Sequence, residues 1–158
     1  MESNVYEVVK ILTEQGKKIA TMESCTGGGV ANAITNIEGA SEVISFSAVT
    51  YSNDFKIKMG VPKETIEKFT VYSKETARDM AKAISQFADS NFGIGITGKM
   101  NRSDKNNQVG ADNIIYFSIY NRDENCYYDQ TVSIDPITRK EGKEKIINLI
   151  MILLLKTL

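Results

Sequence analysis

Thr21-Met-Glu-Ser-Cys-Thr-Gly-Gly-Gly29 joins two patterns of different kind and decides the fold. The apolar residues of 17–22 are typical of a short strand, and the apolar residues of 30–34 have the spacing of a helix. In parallel α/β sheets, ligands bind beyond the carboxyl ends of the strands. The junction is therefore a candidate functional site as well as the start of the fold.

The remaining chain alternates between helix and strand patterns. Helices are predicted at residues 5–12, 30–34, 53–59, 63–69, 73–87 and 138–158, and strands at 17–22, 43–51, 92–97, 113–120 and 126–134. The short polar segment 121–125 predicts that the last two strands pair antiparallel. This order predicts an α/β protein with one domain over residues 1–158. We expect a three-layer α/β/α sandwich around a mostly parallel sheet with one antiparallel strand.

Composition and charge limit the class of protein. The chain is 42% hydrophobic and 25% charged, as in ordinary globular domains. A net charge of −1 and a pI of about 5.6 argue against a broad nucleic-acid-binding surface. The longest apolar run, 146–155, is too short to span a bilayer, and no secretory signal is visible. With two cysteines and no disulfide framework, we predict a reduced cytosolic protein without nucleic-acid or membrane partners.

The chain contains no histidine, which restricts its chemistry. Catalysis by Ser-His-Asp or Cys-His within one chain is excluded. With only two cysteines, a zinc site of the usual His/Cys kind is excluded too. Any hydrolysis must therefore use lysine, tyrosine, carboxylates or backbone amides.

Ser24 is the candidate nucleophile. Gly27, Gly28 and Gly29 allow a tight turn and a close approach to a ligand. The following helix would direct free N–H groups at an anion or a developing oxyanion, with the amides near Thr26 to Gly28 as donors. Two alternatives remain open, because the segment also suits a helix cap or a phosphate site without chemistry. This segment has neither the Gly-x-Gly-x-x-Gly nor the Gly-Lys-Ser/Thr pattern, which argues against a dinucleotide or nucleoside-triphosphate site at this turn.

A second segment, Thr50-Tyr-Ser-Asn-Asp-Phe-Lys56, also ends a predicted strand and begins a helix. It is expected at the same edge of the sheet as Ser24. Lys56 is the candidate base, provided that burial or a nearby positive charge lowers its pKa. Tyr51 is a candidate to steady the serine and the lysine. The alternative is a packed tyrosine and a solvated helix lysine.

Cys25 is the rival nucleophile, because a helix N-terminus would lower its pKa. Adjacent side chains of an extended segment point to opposite sides, so Ser24 and Cys25 cannot both face the site. A small buried cysteine is the favoured interpretation of Cys25. Packing in a strand is favoured for Cys126.

Several motifs resemble, in order and spacing, the CinA C-terminal domain family. They are Glu23-Ser-Cys-Thr-Gly-Gly28, Val49-Thr-Tyr-Ser-Asn53 with Lys56, Met59-Gly-Val-Pro62, Tyr72-Ser73 with Ala77 and Met80-Ala81, and Ile96-Thr-Gly98. The resemblance covers nearly the whole chain, and the run of motifs is far more specific than any one of them.

The resemblance implies an α/β/α domain and an amidohydrolase of pyridine-nucleotide salvage. Such an enzyme converts nicotinamide mononucleotide to nicotinate mononucleotide and ammonia. It implies Ser24 as nucleophile, with Lys56 and Tyr51 assisting, no metal and no cofactor. It further implies a cytoplasmic stand-alone domain that forms homodimers or larger homo-oligomers. The substrate-binding positions carried over are Thr26, Gly27, Gly28, Asn53, Thr97, Gly98 and, as a phosphate contact, Arg139.

The sequence departs from the family pattern after Gly98. Family members continue with Ile-Ala-Gly-Pro and further glycines, whereas this chain has Lys99-Met-Asn-Arg-Ser-Asp. Residues 98–112 are predicted to form a long polar loop, which favours a functional segment. Glycine N–H groups can wrap a phosphate; Lys99, Arg102 or Lys105 are candidates to supply the charge instead.

The altered loop motivates a function of another class. The protein would then be a divergent, catalytically weak or inactive family member that binds a nucleotide-like ligand or serves in assembly. A competence or DNA-repair binding module is a third hypothesis, which the acidic pI disfavours.

Overall fold

The computed structural model describes residues 1–100, 110–135 and 138–158. In chain order the elements are α1 (Glu2–Gln15), β1 (Ile19–Glu23), α2 (Gly29–Thr35), a 3₁₀ turn (Ala40–Glu42), β2 (Ala48–Val49), α3 (Asn53–Lys58), α4 (Lys63–Phe69), α5 (Lys74–Ala88), β3 (Phe92–Gly98), β4 (Ile114–Asn121), β5 (Cys126–Ser133) and α6 (Arg139–Leu155). No helix within the described residues is both long and apolar enough to cross a membrane.

The strands form a single mixed sheet in the order β2-β1-β3-β4-β5. β1 pairs in parallel with β2 and with β3. β4 pairs antiparallel with β3 and with β5. Four strands therefore share one direction and only β4 runs against them, which confirms the predicted sheet and the predicted hairpin.

Helices cover both faces of the sheet, as predicted. The larger apolar core lies between the sheet and α1, α2 and α6, and includes Leu12, Ile34, Ile94 and Ile150. The smaller core lies under α5 on the opposite face. There β3 contributes glycines, and a Cβ on Gly95 would lie 2.1 Å from the carbonyl oxygen of Ala77. The absence of side chains at Gly93 and Gly95 lets α5 pack directly on the sheet backbone.

β2 is shorter than predicted. The sequence predicts a strand over residues 43–51, whereas the structure has only Ala48–Val49. The N–H group of Thr21 donates to Oγ of Ser47 at 3.1 Å, so a side chain takes the place of a carbonyl of the ladder. Apart from an isolated bridge between Ile19 and Ile44, pairing with β1 therefore begins only after Ser47.

The apolar face of α5 is one residue shorter than its sequence pattern. The spacing of Ala77, Met80, Ala81, Ile84 and Phe87 predicts one apolar face for this helix, but Phe87 is 63% exposed and its ring centroid lies 5.1 Å from that of Phe46. The other predicted positions are fully buried: Ala77, Met80, Ala81 and Ile84.

The residue types predict that Gly16 ends the first helix, that Ser73 caps α5 and that the last helix is capped near Thr138 or Asp135, and the helix ends follow this prediction. The first helix ends at Gly16, which has the left-handed φ of 63°. Ser73 caps α5 by accepting from the N–H group of Thr76, and Thr138 begins α6 with a reciprocal capping box to Glu141. The hydrogen bond from Arg139 to the hydroxyl of Tyr51 places the start of α6 beside the segment that follows β2.

Candidate active site

Two chain segments meet at the carboxyl ends of β1 and β2. After Glu23 the chain makes a turn over residues 24–28, here named the glycine turn, before α2 begins. Beyond β2, the N–H group of Thr50 donates to the carbonyl oxygen of Glu23 at 2.8 Å. Ser52 then caps α3 by accepting from the N–H group of Phe55. Backbone pairing thus brings the α3 segment beside Ser24, as the sequence predicts.

Lys56 lies in contact with Ser24. Its Nζ is 3.2 Å from Oγ of Ser24 and 2.7 Å from the carbonyl oxygen of Thr50. The side chain is only 2% exposed, although it belongs to a short surface helix. Burial and two polar contacts contradict the alternative of a solvated helix lysine.

The Thr50 carbonyl determines how the Lys56 amine faces the serine. A carbonyl oxygen only accepts hydrogen bonds, so an N–H of Lys56 points to Thr50. In a neutral amine, the nitrogen lone pair then remains available to the hydroxyl of Ser24. Such a pair matches the arrangement of nucleophile and base in which the base removes the hydroxyl proton.

Glu23 organises the glycine turn from beneath. Its carboxylate is fully buried. It accepts hydrogen bonds from the hydroxyls of Thr21 at 3.1 Å and Thr26 at 2.6 Å. It also accepts from the backbone N–H groups of Val30 at 3.1 Å and Ala31 at 2.9 Å. The carboxylate thus caps α2, whose own N-cap residue is a glycine without a side chain.

The position of Glu23 corrects the expectation that α2 offers free N–H groups to a ligand. The first-turn donors Val30 and Ala31 are taken by the carboxylate. Within the glycine turn, the N–H group of Gly27 donates to the carbonyl oxygen of Ser24 at 2.9 Å. Of the three amides expected as donors, at residues 26 to 28, those of Thr26 and Gly28 make no hydrogen bond to another described residue. They are the remaining candidates for an oxyanion contact.

Cys25 points away from this chemistry. It is 4% exposed and packs in the larger apolar core. Burial raises the pKa of its thiol to about 12, and Glu23 acts in the same direction, while Lys56 and Arg139 oppose it. The helix N-terminus therefore does not lower the pKa as expected, because burial outweighs it. Both cysteines are free thiols, and Cys126 is partly exposed in β5.

Tyr51 and Arg139 form a pair on the outer side of the site. Nη2 of Arg139 donates to the hydroxyl of Tyr51 at 3.0 Å, and Nη1 donates to the carbonyl oxygen of Met100 at 2.9 Å. Tyr51 is 62% exposed, and none of its hydrogen bonds within the described residues reaches Ser24 or Lys56. The structure brings Ser24 and Lys56 together and joins Tyr51 to Arg139.

The other predicted substrate-binding positions make structural contacts at the same edge of the sheet. The buried hydroxyl of Thr97 donates to the carbonyl oxygen of Val71 at 2.8 Å. A Cβ on Gly98 would lie 2.6 Å from the carbonyl oxygen of Ile114, so β3 and β4 can pair there only with a glycine. Asn53 begins α3, three residues before Lys56.

The loop after Gly98 is described only in part. Lys99 is buried at 3% exposure, donates to the carbonyl oxygen of Gly110 at 3.2 Å and lies 4.0 Å from a carboxylate oxygen of Asp112. It therefore joins the two ends of the loop. Arg102 and Lys105 lie outside the described residues. Within residues 1–100, 110–135 and 138–158, no cluster of Cys, Asp or Glu is arranged to hold a metal ion.

Three contributors were missed from the sequence. The motif that contains Glu23 assigns no role to its carboxylate, although a charged residue ending an apolar strand signals a buried polar contact. The Thr50 carbonyl carries no sequence signal, because every residue has one. The Nζ of Lys143 lies 3.2 Å from the position that a Cβ would have on Gly27. Lys143 follows Arg139 by one helical turn, and that spacing was a usable signal.

Comparisons with known proteins agree with this fold and motif set. The family model described as CinA C-terminal domain matches residues 1–158. A competence-damage inducible protein of Clostridium perfringens strain SM101 is 50% identical over 99 residues, which are 61% of this chain and 24% of that protein. A CinA-like protein of Kosmotoga olearia is 47% identical over 92 residues, 58% of this chain and 22% of that protein. The chain therefore spans about a quarter of the length of these curated relatives.

Solved structures extend the likeness over the full domain. A competence/damage inducible protein of Agrobacterium tumefaciens superposes with a TM-score of 0.89 at 26% identity, covering 98% of this chain and 93% of its own. A CinA superfamily protein of Escherichia coli superposes with a TM-score of 0.90 at 21% identity, covering 99% and 90%. At that identity the second likeness shows the fold alone. The match of the family model to the whole chain shows that this protein belongs to the CinA C-terminal domain family.

Proposed function

We propose that the protein is a serine amidohydrolase that deamidates nicotinamide mononucleotide to nicotinate mononucleotide and ammonia. The observation that carries the proposal is the 3.2 Å contact between Nζ of buried Lys56 and Oγ of Ser24. A nucleophile in contact with a potential base, at the carboxyl ends of parallel strands, is the arrangement that acyl transfer requires. The choice of substrate rests on the resemblance to the family.

In the first half of the reaction, Ser24 attacks the carboxamide carbon of the substrate. Lys56 accepts the hydroxyl proton as the C–O bond forms. The N–H groups of Thr26 and Gly28 donate to the oxyanion of the tetrahedral intermediate. The intermediate collapses with cleavage of the C–N bond, and Lys56 returns its proton to the departing ammonia. The product is an ester of Ser24 with the carboxyl group of nicotinate mononucleotide.

In the second half, water attacks the ester carbonyl. Lys56 accepts a proton from this water, and the resulting tetrahedral intermediate expels the serine oxygen. Ser24 regains its proton from Lys56, and nicotinate mononucleotide leaves. The net reaction consumes one water for each ammonia released, and the residues return to their starting state.

The reaction needs a neutral Lys56 at the start. Withdrawal of a lysine from water favours its uncharged form. The contact to the Thr50 carbonyl holds the amine in position before substrate arrives, so little reorganisation is required. Tyr51 is assigned a supporting role, in which its hydroxyl holds Arg139 towards the bound nucleotide.

We also propose the compartment, the binding partners and the oligomeric state of the enzyme. A cytosolic protein that binds a pyridine nucleotide, without nucleic acid, membrane or cofactor, fits the acidic pI and the lack of histidine. A homo-oligomer is also proposed, and light scattering after size-exclusion chromatography would measure its mass.

Ammonia release from nicotinamide mononucleotide tests the proposal. We expect turnover by the wild type, and a fall in kcat of more than about a thousandfold in Ser24→Ala. Ser41→Ala, at an exposed serine of the 3₁₀ turn, is the matched control and should keep wild-type activity. Equal activity of Ser24→Ala and Ser41→Ala would refute the role of Ser24. Calorimetric binding of the nucleotide without turnover would favour the divergent, non-catalytic alternative.

A further inference from the structure

The two edge strands of the sheet differ in how much backbone they leave open to further pairing. An exposed strand edge presents a row of free N–H and C=O groups to which another strand can add. At one edge, β2 pairs through two residues only before the chain turns into α3. At the other edge, β5 pairs with β4 over its whole length, from Cys126 to Ser133, and no strand of the described residues lies beyond it. The β5 edge is therefore long and open.

The sequence of β5 lacks the features by which proteins usually prevent pairing at an edge, namely lysine, proline or a β-bulge. Cys126–Ser133 contains no lysine, arginine or proline, and its register with β4 is continuous. Its one charged residue is Asp129, which accepts from Nε of Arg78 at 2.7 Å and from Oγ of Ser118 at 2.8 Å. Because the guanidinium of Arg78 already neutralises this carboxylate, the charge gives the edge little protection.

Apolar side chains on the face of the sheet that α6 covers are only half-buried. Residues 146–155 of α6 include a single polar residue, and a helix that is apolar on all sides is normally buried on all sides. Leu149 and Leu153 of this helix are nevertheless only half-buried. The same holds for Tyr128 and Val132 of β5, and all four pack against the larger core. Apolar groups of the edge strand and of the helix above it thus remain open to a partner.

A second copy of the chain fits this edge because β5 is complementary to itself in one register. A twofold axis perpendicular to the sheet would pair the two β5 strands antiparallel, with opposite residues on the same face. The two longest pairings of this kind are centred on Asp129 and on Gln130. The first would place two like charges directly opposite each other, which is destabilising. The second places Asp129 opposite Thr131 of the second copy, and Tyr128 opposite Val132 of the second copy.

We propose that two copies of this protein pair antiparallel through β5 around Gln130, so that one sheet of ten strands, five from each copy, runs through a twofold dimer. The inference goes beyond the proposed amidase activity and does not depend on it. The strand backbones supply the hydrogen bonds, and the aromatic and β-branched pair of Tyr128 and Val132 supplies apolar contact. Ser24 follows β1, three strands away from this edge, so pairing leaves both candidate active sites open.

Light scattering after size-exclusion chromatography, over a range of protein concentrations, tests the interface. We expect the wild type at twice the chain mass of 17.5 kDa. Gln130→Lys would place two lysines opposite each other and should raise the dissociation constant of the dimer at least about tenfold. Gln86→Lys is the matched control, because it adds the same charge at an exposed position of α5 and should leave the dimer intact. A monomeric wild type, or equal dissociation constants of the two folded variants, would overturn the inference.

Disulfide cross-linking in a Cys126→Ser background tests the register. Gln130→Cys should give covalent dimers under mild oxidation, because directly opposite residues have Cα atoms about 4.5 to 5.5 Å apart, within the range of a disulfide. Ser133→Cys is the control, since Ser133 would lie opposite Tyr127 of the second copy, with the two introduced thiols about 20 Å apart. Cross-linking of both variants at the same rate, or of neither, would overturn the inference.

Discussion

The two sides of the candidate site are built in different ways. On the dyad side, defined by Ser24, Thr50 and Lys56, the polar groups are bound to each other and Lys56 is almost fully buried. On the α6 side, defined by Arg139 and Lys143, both cations lie nearer the surface, and Lys143 has no partner among the described residues. Groups that react gain from being positioned in advance. Groups that recognise a charge must remain available until the ligand arrives.

The largest effect is expected from the base of the dyad side. Lys56→Met keeps an unbranched side chain but removes the amine, and kcat for nicotinamide mononucleotide should fall between about a hundredfold and about ten-thousandfold. Lys58→Met is the control, because Lys58 is exposed on the same helix with its Nζ 4.7 Å from the Phe55 ring centroid. If both variants lose activity equally, the amine of Lys56 is not the base. Circular dichroism would show whether the variants are folded.

A smaller effect, on stability, is expected beneath the glycine turn. Glu23→Gln replaces an acceptor-only group by one with an N–H₂ end, and one of its four donors must then face another donor. The free energy of unfolding should fall by about 2 kcal/mol. In thermal melting this corresponds to a Tm lower by roughly 4 to 8 °C.

The control for Glu23→Gln is Glu38→Gln, at an exposed position after α2. Its Tm should stay within about 1 °C of the wild-type value, because surface substitutions have small effects. Equal melting temperatures of the two variants would mean that the buried carboxylate does not stabilise the turn.

Removal of the Tyr51 hydroxyl should have a smaller effect than the substitution of Lys56 or of Glu23. Tyr51→Phe removes the acceptor for Arg139, and KM for nicotinamide mononucleotide should rise about fivefold with little change in kcat. Steady-state kinetics measure both constants. A fall in kcat of more than about a hundredfold would instead mean that Tyr51 acts on the serine and lysine directly.

The smallest effect is expected for Cys25, the residue next to Ser24. With a pKa of about 12, only about one in ten thousand Cys25 thiols is ionised at pH 8. A Cys126→Ser protein should therefore resist Ellman's reagent while folded and react fully in denaturant. Rapid stoichiometric labelling of the folded protein would contradict the core position of Cys25. It would reopen that thiol as a nucleophile.

Most of the fold was predictable because its signals are local. The spacing of Val5, Val8 and Leu12 and the glycine at residue 16 define α1 without reference to the rest of the chain. β2 was mispredicted because an edge strand ends where a side chain replaces a backbone acceptor, as Ser47 does for Thr21. Phe87 was mispredicted because helical spacing does not reveal where the sheet beneath the helix ends.

The dyad was predictable from the sequence, whereas the α6 side was not. Ser24 and Lys56 each follow a recognisable strand, and parallel strands bring their carboxyl ends together. The position of Lys143 beside Gly27 brings together residues far apart in the chain, and it depends on how α6 crosses the sheet. The occupation of the α2 terminus by Glu23 likewise requires the path of the turn, which residue types do not specify.

Capture of the covalent intermediate on Ser24 tests the central proposal most directly. Wild-type protein would be mixed with nicotinamide mononucleotide, quenched in acid within milliseconds to seconds, and digested for tandem mass spectrometry. We predict an ester of nicotinate mononucleotide on Ser24, absent from Ser24→Ala and present in Ser41→Ala. Turnover with the acyl group on Cys25, or turnover by Ser24→Ala at the wild-type rate, would contradict the assignment of Ser24 as the nucleophile.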